Sequence, residues 1–150
     1  MFLDTVLRRN RPLIDYSIAM HQQGLIEPDT FVVDMDVLIE NAKLIIDAAN
    51  KHSIGLYFML KQLGRNPLIA KRLMELGYQG AVVVDFREAQ VMMNNHIPIG
   101  NVGHLVQPPF GQLEQLIKYG VEVFTVYSLD KLKKINETAN CLHKVQDVLV

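Results

Sequence analysis

The sequence predicts an α/β fold built on a parallel sheet, and three observations predict it. Beyond residue 30, short continuous apolar runs alternate with stretches of helical apolar spacing. The runs lack the polar alternation of a solvent-facing sheet, so both faces of each strand are expected to be covered. Gly77 to Asp85 and Gly120 to Ser128 repeat one arrangement (helix stop, apolar strand, helix cap) at a shift of 43 residues, a length suited to one strand-plus-helix unit. Each unit follows the last without a glycine-rich dinucleotide fingerprint. The chain therefore reads as the N-terminal half of a (β/α)8 TIM barrel rather than an open doubly wound sheet. A complete barrel takes about 250 residues, and this chain has 150.

Residues 1–30 are expected to form a helical N-terminal extension, and residues 31–150 the incomplete barrel. Asn10 and Arg11 precede Pro12, a first-turn proline, and Leu13, Ile14 and Ile18 run toward a stop at Gly24. Phe31-Val32-Val33 is a strand candidate, and Asp36 is expected to cap a helix striped by Ile39, Ala42, Ile45, Ile46 and Ala49. Leu56 to Leu60 is a strand. Asn66 caps the next helix, with Pro67 at its first position and Gly77 beyond its end. Gly80 to Val84 is a strand, and Asp85 caps with Glu88 three residues on, a capping-box spacing. Ile99 to Val106 holds another strand, ended by Pro108-Pro109. A helix over Leu113, Leu116 and Ile117 stops at Gly120, Val121 to Val126 is a strand, and Ser128 caps a further helix. Val148-Leu149-Val150 opens a last strand, whose edge is expected to be unpaired.

Lys61 closes the apolar run Gly55 to Leu60 and precedes the turn Gln62-Leu63-Gly64-Arg65-Asn66-Pro67. That placement puts an amine at the carboxyl rim of the sheet, where α/β proteins hold their chemistry. Residues two apart on a strand share a face, so Tyr57, Met59 and Lys61 point one way and Leu56, Phe58 and Leu60 the other. Apolar walls around Lys61 would disfavour its cation and leave a nucleophilic amine able to form a Schiff base. The alternative is a solvated lysine just past a strand end. Arg65, beside the helix start at Asn66-Pro67, is a candidate phosphate contact, or else an exposed loop arginine. His104 lies in Gly103-His104-Leu105-Val106-Gln107 and reads equally as a structural histidine or as a ring that stacks on a ligand or passes a proton.

Other chemistries find no support. Asp34 and Asp36 resemble a metal pair, but one ends a strand and the other caps a helix. The remaining histidines have no ligand spacing, and no nucleophile elbow or Walker loop is present. At net charge −1, with 49% hydrophobic and 21% charged residues, the chain reads as an ordinary globular protein with no field suited to nucleic acid or an anionic membrane. Asp4, Arg8, Arg9 and Arg11 interrupt any signal-peptide core, and no apolar stretch is long enough to span a membrane, so a cytoplasmic location is expected. The single cysteine, Cys141, fits a reducing compartment and is expected as a small core residue in a helix.

Phe31-Val32-Val33-Asp34-Met35-Asp36, Leu60-Lys61, Asn66-Pro67-Leu68-Ile69-Ala70 and Val84-Asp85-Phe86-Arg87-Glu88-Ala89 together resemble the N-terminal barrel domain of alanine racemase-type (fold type III) pyridoxal-phosphate enzymes. Lys61-Gln62 with Gly64-Arg65-Asn66-Pro67, and Gly103-His104-Leu105-Val106-Gln107, are similar to the YhfX-like group. The resemblance implies pyridoxal 5'-phosphate held by Lys61 as an internal aldimine, and an amino-acid substrate undergoing racemisation, epimerisation or related α-carbon chemistry. It leaves a homodimer open. Arg65 stands where alanine racemases proper place a tyrosine on the cofactor phosphate, and His104 rests on the YhfX-like motif alone. The family's remaining cofactor contacts come from later strands, so the resemblance implies the N-terminal part of a longer enzyme. The alternatives are a non-catalytic cofactor-binding protein and an inactive fragment.

Overall fold

The structure is a computed structural model in which residues 2–150 are described. The chain divides into two compact units, one running to Asn41 and the other from Ala42 to Val150. In the first, α1 (Phe2–Arg9) and α2 (Arg11–Gln22) meet at Asn10, whose side chain accepts from Leu13 N at 3.2 Å and donates to Asp34 Oδ2 at 2.6 Å. Pro12 sits in the first turn of α2, where a missing N–H costs nothing.

Phe31-Val32-Val33 pairs with no strand. Phe31 is 84% exposed, and the backbone passes straight into α3 (Met35–Asn50). The cap of α3 is Asp34 rather than Asp36: Asp34 Oδ1 accepts from Val37 N at 3.1 Å, and Asp36 falls within the first turn. The amides of Val37 and Asp36 and the Asn10 side chain hold the Asp34 carboxyl below its ordinary range.

The second unit repeats strand and helix: α4 (Pro67–Glu75), β1 (Ala81–Val83), α5 (Phe86–Asn94), β2 (Ile99–Val102), α6 (Leu113–Tyr119), β3 (Val123–Thr125), α7 (Leu129–Cys141) and β4 (Asp147–Leu149). The four strands are parallel and lie in sequence order. The expected strand at Leu56 to Leu60 is reduced to an extended segment joined to β1 by one bridge, Phe58 to Ala81. Cys141 ends α7 and is exposed, not buried.

Successive crossovers of one hand, between strands in sequence order, put every helix on the same face of the sheet. The register partners Val83, Val102 and Phe124 on that face are 0% exposed. Buried with them are Ile69 and Leu73 of α4, Met92 of α5, Leu116 of α6 and Ile135 of α7. The opposite face is open, contrary to the expectation of two covered faces. There Tyr57 and Met59 are 37% and 43% exposed, and the register row Val82, Asn101 and Val123 is half-buried. Gly100 is the extra residue of a bulge between β1 and β2. The Tyr57 ring takes the space its side chain would fill, since a Cβ there would lie 2.2 Å from Tyr57 Cε1. The Tyr57 hydroxyl donates to Glu122, which raises its pKa. All three residues of β4 are exposed, leaving the expected free edge. This is an α/β partial barrel.

Candidate functional site

The candidate residues stand near the carboxyl ends of the strands. Phe58 N donates to Gly80 O at 3.0 Å and Val82 N to Phe58 O at 2.8 Å, a parallel pairing that carries Leu60 to the rim beside β1. A 3-10 turn, Lys61–Leu63, follows. The Leu60 carbonyl accepts from both Leu63 N and Arg65 N, so the chain must reverse within five residues. It does so through two successive left-handed residues, Gly64 at φ +68° and Arg65 at φ +57°. A non-glycine residue held there is uncommon and marks a conformation that the surroundings enforce. Asn66 then caps α4 through Leu68 N at 2.9 Å.

Lys61 is exposed, and its ammonium makes no hydrogen bond or ion pair with any described residue. Arg65 is committed differently. Its Nη2 donates to Asp85 Oδ2 at 2.7 Å, while its buried Nε has no partner. Asp85 Oδ1 accepts from Glu88 N at 2.8 Å and caps α5. Glu88 is only 1% exposed and accepts from Val84 N at 2.7 Å, one residue upstream of the amide a capping box would engage. Burial pushes the Glu88 carboxyl up. The Val84 amide and the cations of Arg65 and Lys61 draw it back, and Asp85 reinforces the rise. Lys61, Arg65, Asp85 and Glu88 thus form one charged corner.

His104 is not inside a strand. β2 ends at Val102, Gly103 turns the backbone at φ +95°, and His104 is exposed in the loop beyond. Glycine is required at that turn, because a Cβ would lie 2.5 Å from the Thr125 carbonyl oxygen. The Tyr127 hydroxyl donates to the His104 carbonyl, and Val106 N donates to Val84 O at 3.0 Å, drawing the loop back over β1. Gln107 Nε2 donates to Gly103 O at 2.6 Å and Thr125 O at 2.8 Å. Lys131, 8% exposed in the first turn of α7, donates to Pro108 O at 2.6 Å and sits 3.9 Å from the Phe110 ring centroid; burial lowers its pKa.

Lys61 and Arg65 are thus neighbours on one turn. His104 stands on a separate rim loop, with no hydrogen bond to either. Sequence reasoning missed the Arg65–Asp85 ion pair, the burial of Glu88 and the anchoring roles of Gln107 and Lys131. The capping spacing of Glu88 pointed only to a helix start, and Gln107 lay in a motif read for its histidine. A groove of about 580 Å³ in the first unit, lined by Leu13, Ile14, Ile18, Ile26, Phe31 and Val32 among others, includes none of these residues and is mainly apolar. Among the described residues no helix is long and apolar enough to cross a membrane, and no three His, Cys, Asp or Glu side chains cluster as metal ligands.

Comparison with known proteins places the chain beside a family, a curated relative and a solved structure. Residues 33–150 match the alanine racemase N-terminal domain family. The whole chain is 41% identical over 150 residues to a protein of Escherichia coli (strain K12) named "Uncharacterized protein YhfX", of which it spans 39%. The crystal structure of D-threonine aldolase from Filomicrobium marinum aligns at a TM-score of 0.70 and 23% identity, over 83% of this chain and 34% of that one. That last likeness is one of fold.

Proposed function

The chain belongs to the alanine racemase N-terminal domain family, a family of pyridoxal-phosphate-dependent amino-acid enzymes, and from that premise we propose that Lys61 carries pyridoxal 5'-phosphate in a protein acting at the α-carbon of amino acids. Racemisation, epimerisation or a related reaction is the chemistry proposed. The observation that carries the reading is an uncommitted primary amine at the carboxyl rim of a parallel sheet.

The residues fit the cofactor. Lys61 offers an amine to an aldehyde. Arg65 keeps one buried N–H, Nε, without an acceptor, and a phosphate oxygen satisfies such a donor. The exposed His104 ring offers a flat face to an aromatic ligand. When bound, the cofactor supplies an electron sink for the electrons released at the substrate α-carbon. Lys61 Nζ would hold the cofactor, and the same amine would move a proton at the substrate α-carbon. Asp85 holds the Arg65 guanidinium from one side and leaves Nε for the ligand. Glu88 pins the end of β1 through Val84 N.

The test is covalent. Pyridoxal phosphate is added, the complex reduced with borohydride, and the adduct located by peptide mapping. The adduct is expected on Lys61 and absent from Lys61→Ala; equal trapping by that variant overturns the assignment.

A second reading, cofactor carriage without turnover, is favoured by the open sheet face, where Tyr57 and Met59 meet solvent. These residues alone do not exclude water from the rim. Exchange of α-deuterium from amino acids separates the two readings: loss supports catalysis, retention by a loaded protein supports carriage.

A further inference from the structure

Among the described residues, two buried side-chain polar atoms lack a hydrogen-bond partner, Arg65 Nε and Gln107 Oε1, and both stand at the carboxyl rim. Buried polar groups are seldom left unpaired, and each exception calls for an explanation. The orientation of the Gln107 amide is settled by its neighbours. Both Nε2 hydrogens go to carbonyl oxygens, Gly103 O at 2.6 Å and Thr125 O at 2.8 Å. Turning the amide over would set oxygen against two oxygens, so Oε1 faces away from both, an acceptor with both lone pairs free.

The loop that carries it is already fixed. Val106 N is bonded to Val84 O at the end of β1, Gln107 to the ends of β2 and β3, and Lys131 Nζ to Pro108 O. Both unpaired atoms have less than 1 Å² of accessible surface, so a ligand engages them as the packing over the rim opens. The two unpaired atoms are also chemically opposite: Arg65 Nε requires an acceptor, and Gln107 Oε1 requires a donor. A ligand that satisfies both carries an anionic oxygen and, elsewhere, an O–H or N–H. Pyridoxal phosphate has this pair in its phosphate and in its ring hydroxyl and protonated ring nitrogen.

We propose that Gln107 is a ligand-contacting residue whose amide oxygen accepts a hydrogen bond from the pyridoxal ring, a role that rests on the reading of Lys61 as the cofactor's attachment point. The experiment compares two aldehydes on the full chain. One is pyridoxal 5'-phosphate; the other is a benzaldehyde phosphate ester with neither ring hydroxyl nor ring nitrogen. Affinities are read by absorbance titration and attachment by borohydride trapping at Lys61. The ortho hydroxyl and ring nitrogen of pyridoxal phosphate favour imine formation with any amine, so the ratio of the two affinities is read in each variant against wild type, where the proposed hydrogen bond adds about tenfold.

Gln107→Leu should lower the wild-type preference for pyridoxal phosphate about tenfold. Because leucine also removes the bonds to Gly103 and Thr125, Gln107→Arg is the second variant: its guanidinium keeps donors for both carbonyls and has no acceptor. A preference reduced about tenfold from wild type in both variants, with the donor-free aldehyde still trapped at Lys61, supports the assignment. A preference equal to that of wild type in either variant overturns it while leaving Lys61 untouched. No adduct at Lys61 with either aldehyde in wild type removes the cofactor reading, and this inference with it.

Discussion

The two faces of one sheet are built to opposite ends. On the helix-covered face, Val83, Val102 and Phe124 are fully buried beneath α4 to α7. On the other, Tyr57 and Met59 stand exposed on the extended segment that leads to Lys61. Alternation along an extended chain sends neighbouring residues to opposite faces, so burial and exposure fall to adjacent positions. Substitutions on the two faces should therefore report on different properties.

The largest effect is expected on the covered face. Phe124→Ala removes a ring with no exposed surface and should cost about 3–5 kcal/mol, whereas Met59→Ala on the open face should stay within about 0.5 kcal/mol. Urea unfolding of both variants measures the contrast, and similar losses would break it.

At the rim between the faces, Asp85→Ala removes the cap of α5 and the partner of Arg65; a loss of about 1–2 kcal/mol is expected. Because the freed guanidinium reorients, weaker pyridoxal-phosphate binding should accompany that loss. An unchanged affinity would separate Arg65 from the ligand.

Glu88→Gln sharpens the comparison through pH. Burial holds the folded pKa of Glu88 above its ordinary 4.5. The stability contributed by its protonated form is complete below that value and is lost as pH rises through the raised pKa. Glutamine keeps its proton-independent neutrality, so the variant should match wild type at the acid end and exceed it toward neutral pH. Urea midpoints from about pH 4 to about pH 8 measure this, and parallel curves would show that the carboxylate is fully compensated by Arg65 and Lys61.

The smallest effect on stability is expected at Lys61, whose ammonium touches no described partner. Lys61→Ala should leave the unfolding midpoint within about 0.5 kcal/mol of wild type while abolishing borohydride trapping. A large loss of stability would mean that the amine has a structural role.

Much of the fold was legible because its determinants are local. Asn66-Pro67, Asp85 and Ser128 each cap the helix expected of them, with the side chain bonded two or three residues ahead. The 43-residue echo correctly marked β1 and β3 with their following helices. What misled was composition without a partner. Phe31-Val32-Val33 has strand-like residues and pairs with nothing, and the apolar run from Ile99 loses its strand at Gly103, where the left-handed turn outweighs the β propensity of Leu105 and Val106. For the site, the rim position of Lys61 followed from where the apolar run Leu56 to Leu60 stops. The pairing of Arg65 did not, because Asp85 is 20 residues away.

By itself the sequence determined the capped helices, the strands β1 and β3, and the placing of an amine just past an extended apolar run. These depend on periodicity, caps and chain direction, all of which act within a few residues. Only the tertiary structure decided that one sheet face stays open, that Glu88 is buried among opposing charges, and that Arg65 Nε and Gln107 Oε1 are left without partners. Each of those depends on the distance between groups far apart in the chain, which no local pattern encodes.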